Sequence, residues 1–119
     1  MNLKVVLARV VPTTQMMLAQ GDYAFPRYQE VLETIQEEAE GYLKLSGEKM
    51  REKGVSSVEE RRLMGYTATS LIDLAKETEG SMVAMTTHGR SGIGRWLLGS
   101  VADRVVHHAE SPVLLVRTN

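Results

Sequence analysis

The sequence lacks cysteine, and this absence excludes disulfide bridges and thiolate metal sites. It also lacks a strong charge of either sign, because the formal net charge is −1 at pH 7. A chain without a basic field is not expected to bind nucleic acid or an anionic membrane. No apolar run is long enough for a signal peptide or a membrane span. We therefore expect a cytoplasmic protein without a nucleic-acid or membrane partner.

The overall amino-acid composition is ordinary for a globular protein. The 119 residues are 43% hydrophobic and 24% charged, and they contain no internal repeat or low-complexity tract. A chain of this length can bury a single hydrophobic core. We expect one domain over residues 1–119.

The pattern of apolar residues alternates between the period of a strand and the period of a helix. Four segments have the length and pattern of strands, at residues 3–11, 55–64, 81–86 and 113–116. Three segments have helical spacing, at residues 26–53, 67–79 and 99–108. Residues 13–25 are predicted to be a loop, with methionines that cover a ligand, a partner subunit or the local core. This alternation predicts parallel βα units in an α/β sandwich.

A glycine-rich stretch, residues 87–100, lies between the third predicted strand and the last predicted helix. Glycines let a ligand approach the backbone closely, and a helix that begins after such a loop offers unpaired N–H groups. Together with the helix dipole these groups form an anion site, most often for phosphate. A loop that only turns the chain has the same pattern, so both interpretations stand.

The residue identities in the C-terminal third are more specific than the spacing of the glycines alone. Three segments, residues 85–92, 97–106 and 111–116, closely resemble the universal stress protein family. The nucleotide pattern of that family is Gly, two residues, Gly, nine residues, Gly, and then Ser or Thr. Gly89, Gly99 and Ser100 fit this pattern, whereas Thr86 stands at its first glycine.

The resemblance implies a flavodoxin/Rossmann-like open parallel sheet with helices on both faces, of the adenine nucleotide alpha hydrolase-like type. It begins at the second strand of the family, so the first βα unit is missing from this sequence. That first strand lies centrally in the flavodoxin-like order. Three expectations follow: the chain is a fragment or is incomplete, the four remaining strands close up into a smaller sheet, or another chain supplies the lost pairing.

The resemblance also implies an adenine nucleotide, ATP or AMP, with Mg²⁺ as an accompanying ion. Eight residues are the candidates for binding it: Val10, Thr86, His88, Gly89, Arg90, Gly99, Ser100 and Val101. Backbone N–H groups of the glycine-rich stretch would hold phosphate oxygens, Arg90 would neutralise their charge, and Val10 would touch adenine. The structural alternatives are Val10 as a core residue, Ser100 as a helix N-cap and His88 bonded to a loop carbonyl. The family's adenosine-holding Asp has no match here.

The function implied is a stress-related regulatory module that forms a homodimer through its last strand, Val113 to Val116. The alternative is a dimeric scaffold that binds no nucleotide and acts through protein contacts. Enzyme interpretations have less support, because the stretch lacks the Lys of a GxxxxGK[ST] element and no base faces a nucleophile. At most the resemblance allows slow ATP hydrolysis.

Overall fold

The computed structural model describes residues 3–19, 27–88 and 99–118. Tertiary contacts divide the chain into two units, Met1–Tyr66 and Thr67–Asn119. Each unit contains two parallel strands joined by a helical connection, which is the predicted βα arrangement. The single domain expected from the chain length stays a prediction.

The first unit contains β1 Lys4–Val11, α1 Thr14–Ala19, α2 Arg27–Glu52 and β2 Ser57–Met64. β1 and β2 are parallel and in register from Lys4 opposite Ser57 to Val11 opposite Met64. Residues directly opposite each other in a parallel pair share one face of the sheet. Since parallel strands need a long crossover, the 26-residue α2 is well suited to connect them.

The packing of α2 follows from its apolar spacing and its charges. Ala39 and Leu43, four residues apart, are 2% and 4% exposed. On the neighbouring surface, Arg62 Nη1 of β2 lies 2.6 Å from Glu40 Oε1. The helix ends before Gly54, whose φ of +101° is a left-handed conformation that favours glycine at the C-terminal end of a helix.

The segment predicted as a loop over residues 13–25 is partly helical, so that prediction is wrong for its first half. α1 forms because Thr13 Oγ1 accepts a hydrogen bond of 3.1 Å from the Met16 N–H, which is the geometry of an N-cap. Met17 is 3% exposed, whereas Leu18 is 49% exposed. Met17 therefore contributes to the local core, which is one of the roles predicted for the methionines of this segment.

The second unit contains α3 Thr67–Glu77, β3 Val83–His88, α4 Ser100–His108 and β4 Val113–Thr118. β3 and β4 are parallel and in register from Val83 opposite Val113. A buried cluster of Ala68, Ile72 and Val105 joins α3 to α4, and Val105 is 0% exposed. The cluster packs against partly buried strand residues, namely Val83, Met85 and Val113.

The opposite face of this second sheet is open. Ala84 lies opposite Leu114, and Thr86 lies opposite Val116, so these four side chains share the face that the cluster does not cover. All four are exposed, Leu114 to 48% and Val116 to 47%. We refer to Ala84, Thr86, Leu114 and Val116 as the outer face.

The strands pair as two separate couples in the described residues, β1 with β2 and β3 with β4. All three expectations about the missing βα unit stay predictions.

Candidate functional site

The N-terminus of α4 presents a row of backbone donors. Gly99 is the N-cap residue, and its carbonyl accepts the first helical hydrogen bond, from the Asp103 N–H at 2.9 Å. The N–H groups of Ser100, Val101 and Ala102 precede that bond and have no acceptor within the helix. These three donors and the positive end of the helix dipole can together bind an anion.

Among residues 3–19, 27–88 and 99–118, no side chain caps this end of α4. Ser100 is exposed and occupies the first helical position, so the alternative that Ser100 is the N-cap is wrong. The contrast with α1 is informative, because there the Thr13 hydroxyl takes up one of the free N–H groups. In α4 no described side chain takes up the first donors in this way.

Gly99 has an ordinary backbone conformation. Its φ of −69° and ψ of 164° are extended values that any residue adopts. A Cβ placed on Gly99 would meet no described heavy atom within 4 Å. Neither backbone strain nor the described neighbours therefore require glycine at this position.

One carboxylate lies in the first turn of α4. Asp103 is exposed there, and its charge opposes the binding of an anion at the donors. Its Oδ1 lies 3.4 Å from His107 Nδ1 one turn further on, and the same nitrogen lies 2.8 Å from the Asp103 backbone carbonyl oxygen. The shorter contact is with the carbonyl oxygen, so His107 pairs more closely with the backbone of Asp103 than with its carboxylate.

The structure brings three of the eight candidate residues together, Gly99, Ser100 and Val101. Sequence reasoning missed Ala102, which supplies the third free N–H; the helix start, once placed at Ser100, would have identified it. Among the others, Thr86 is exposed in β3 and His88 is the last residue of that strand.

Three candidates have no test in this geometry. Gly89 and Arg90 lie outside the described residues. Val10 is half-buried in β1, opposite Leu63, and belongs to the first unit. Its contact with adenine and its role in the core both stay predictions.

The described parts of the chain contain neither a cluster of metal-ligating side chains nor a helix that could span a membrane. Residues 3–19, 27–88 and 99–118 contain no cluster of three or more His, Asp or Glu that could hold a metal ion. Nor does any helix within those ranges have the length and apolar composition needed to cross a membrane.

A comparison with known protein families identifies the family of this chain. The model of the Universal stress protein family matches residues 1–117. The chain belongs to the universal stress protein family. This assignment confirms the resemblance found in residues 85–116.

Curated relatives agree with this assignment. Universal stress protein MJ0531 of Methanocaldococcus jannaschii is 34% identical over 87 residues, which cover 73% of this chain and 51% of that protein. A universal stress protein of Thermus aquaticus is 34% identical over 92 residues, which cover 77% of this chain and 65% of that protein. The universal stress protein chain described here spans about half to two thirds of the length of these relatives.

Solved structures confirm the α/β, Rossmann-like fold. The hypothetical protein MJ0577 superposes with a TM-score of 0.76 at 21% identity, over 98% of this chain and 76% of its own. A universal stress protein in complex with cAMP superposes with a TM-score of 0.61 at 23% identity, over 100% of both chains.

Proposed function

We propose that this universal stress protein is a regulatory module that binds an adenine nucleotide, ATP or AMP. The observation that supports the proposal is the N-terminus of α4, where the N–H groups of Ser100, Val101 and Ala102 have no acceptor in the helix. A Cβ on Gly99 would meet no described atom within 4 Å. The phosphates of the nucleotide occupy this position, as anions do at uncapped helix N-termini.

The strength of such a site follows from the number of donors. Each hydrogen bond to a charged acceptor contributes about 1.5–3 kcal/mol, so three contribute about 4.5–9 kcal/mol before the cost of ordering the ligand. Any Mg²⁺ that accompanies ATP is carried by the phosphate oxygens, which are ligands that this ion prefers.

The nature of the nucleotide is supported by the relatives. A solved universal stress protein of similar fold is in complex with cAMP, which contains both adenine and a phosphate. The Gly89, Gly99 and Ser100 pattern of this chain is the part of the sequence that the family associates with nucleotides. We therefore favour an adenine nucleotide over an unrelated phosphate compound.

Calorimetry tests the proposal directly. ATP and AMP are titrated into the purified chain, and the melting temperature is measured with and without millimolar nucleotide. We expect measurable heat for at least one nucleotide and a rise in the melting temperature. No heat and no shift for either nucleotide would contradict nucleotide binding. Release of labelled phosphate from ATP above a buffer control would add slow hydrolysis to the function.

A second candidate function is a dimeric scaffold that acts by protein contacts. The exposed Leu114 and Val116 on the outer face favour it, because apolar side chains grouped on one surface mark interaction sites. β4 also provides an edge through which two copies could pair. Sedimentation measures the mass, and a dimer that gives no heat with ATP or AMP would favour the scaffold over the nucleotide module.

A further inference from the structure

A groove with a volume of about 450 Å³ lies on the surface of the second unit, between α3 and α4. Its lining residues are Thr69, Ile72, Asp73, Lys76, Arg104 and His108. Within each helix these residues are spaced by three or four positions, so each helix contributes one face. Ile72 is 8% exposed and belongs to the same buried cluster as Val105, so it forms the base of the groove. A groove of this volume accommodates a small molecule.

The charges in the groove have both signs and do not pair with one another. Asp73, Lys76 and Arg104 are all exposed. The ion pairs of the described ranges lie elsewhere, and none of them joins Asp73 to Lys76 or to Arg104. The groove therefore offers one carboxylate and two permanently charged cations to a ligand.

This groove is separate from the N-terminus of α4. Arg104 and His108 lie four and eight residues beyond Ser100, which is about one and two turns along the helix. The groove is completed by α3, and none of the eight candidate nucleotide-binding residues lines it. A ligand in the groove is thus independent of the proposed nucleotide.

We propose that the groove between α3 and α4 binds an acidic amino acid, a small molecule with two carboxylates and one ammonium group. Lys76 and Arg104 bind the two carboxylates, and the planar guanidinium of Arg104 can do so with two parallel hydrogen bonds. Asp73 binds the ammonium group, while Ile72 contacts the aliphatic chain of the ligand. The two cations and one carboxylate of the groove complement the two carboxylates and one cation of the ligand.

Three related ligands test this arrangement on the full chain. Glutamate carries all three charged groups, glutarate lacks the ammonium group, and glutamine lacks one carboxylate. Each is titrated to millimolar concentration, and binding is followed by the NMR shifts of the backbone amides of α3 and α4. We expect glutamate to bind about threefold or more tightly than either analogue, since each missing charge removes one solvent-exposed ionic contact.

Substitutions in the groove should remove one preference at a time. Asp73→Asn should abolish the preference for glutamate over glutarate, because the ammonium group then has no carboxylate to bind. Arg104→Gln should abolish the preference for glutamate over glutamine. Glu77→Gln on α3 and Lys49→Gln on α2 are the matched controls; both residues are exposed and lie outside the groove lining, so both preferences should persist. Melting temperatures establish that each variant is folded.

Several results would overturn the proposal. Equal binding of the three ligands by the wild type, or no shift of any α3 or α4 amide, would show that the groove does not recognise an acidic amino acid. A preference for glutamate over glutarate that survives in Asp73→Asn would place the ammonium group elsewhere. Displacement of glutamate by ATP would show that the two ligands share one site, whereas ATP binding without glutamate binding would leave the nucleotide proposal intact.

Discussion

Replacing Gly99 by aspartate should make the protein more stable and its nucleotide binding weaker. At the N-cap of α4 an aspartate oxygen accepts a hydrogen bond from the N–H of Val101 or Ala102. The substitution meets no steric obstacle, because a Cβ at Gly99 has no described atom within 4 Å and φ is −69°. The new carboxylate then occupies the donors that we assign to phosphate.

The two effects can be estimated separately. The cap contributes a few tenths of a kcal/mol over glycine, and the charge at the helix dipole about 0.3–1 kcal/mol. Loss of glycine freedom in the unfolded chain adds about 0.4–1 kcal/mol. A total of about 1–2 kcal/mol should raise the melting temperature by about 3–12 °C. Loss of one charge-assisted bond to the phosphate should weaken ATP binding about tenfold or more.

Thermal denaturation and calorimetry on the same protein samples measure both quantities. Gly99→Asn is the matched control, because it caps the helix without a charge and should lose less affinity than Gly99→Asp. A more stable Gly99→Asp that binds ATP as the wild type does would refute the assignment of these amides to the phosphate. A less stable variant would refute the capping geometry itself.

The remaining predictions concern stability and assembly. In the proposed dimeric scaffold, Val116→Asp places a charge on the outer face and should dissociate the dimer into monomers; a dimer of unchanged mass would show that the outer face is not the interface. Gly41→Ala, with no described atom within 4 Å of its Cβ in α2, should raise the free energy of unfolding by about 0.5–1 kcal/mol. Gly54→Ala, at φ +101°, should lower it by a similar amount or more, and equal effects would contradict this contrast. Val105→Ala should cost about 2–3 kcal/mol in urea unfolding, and a cost below about 1 kcal/mol would contradict its place in the core.

Much of the fold could be predicted because the apolar periods are long and regular. The bounds of α2 and β4 differ from the predicted bounds by only a few residues. α1 was missed because six residues are too few for a periodic signal, and its cap at Thr13 was the only local cue. The burial of individual side chains on a helix was harder to predict. Tyr42 fits the apolar spacing of α2 but is 56% exposed, with the Arg9 guanidinium 5.0 Å from its ring centre.

The candidate site was predictable in its location and not in its detail. The spacing of Gly89, Gly99 and Ser100 identified the helix that would offer its N-terminus, since that signal depends only on residue identity. Which residue becomes the N-cap depends on where the helix starts, and sequence leaves that uncertain by one or two residues. The structure places Gly99 there, and so the donors belong to the three residues that follow.

The pairing of β3 has a consequence for hydrogen exchange along that strand. In a parallel ladder alternate residues of a strand direct their amides to one neighbour or to the opposite side. Because β4 is the neighbour of β3 within the described ranges, slowly and rapidly exchanging amides should alternate from Val83 to His88. Any polypeptide that added a strand beside β3 would slow hydrogen exchange only at the amides that exchange rapidly without it. The exchange profile of these six residues thus reports occupancy of that edge without a label or a mutation.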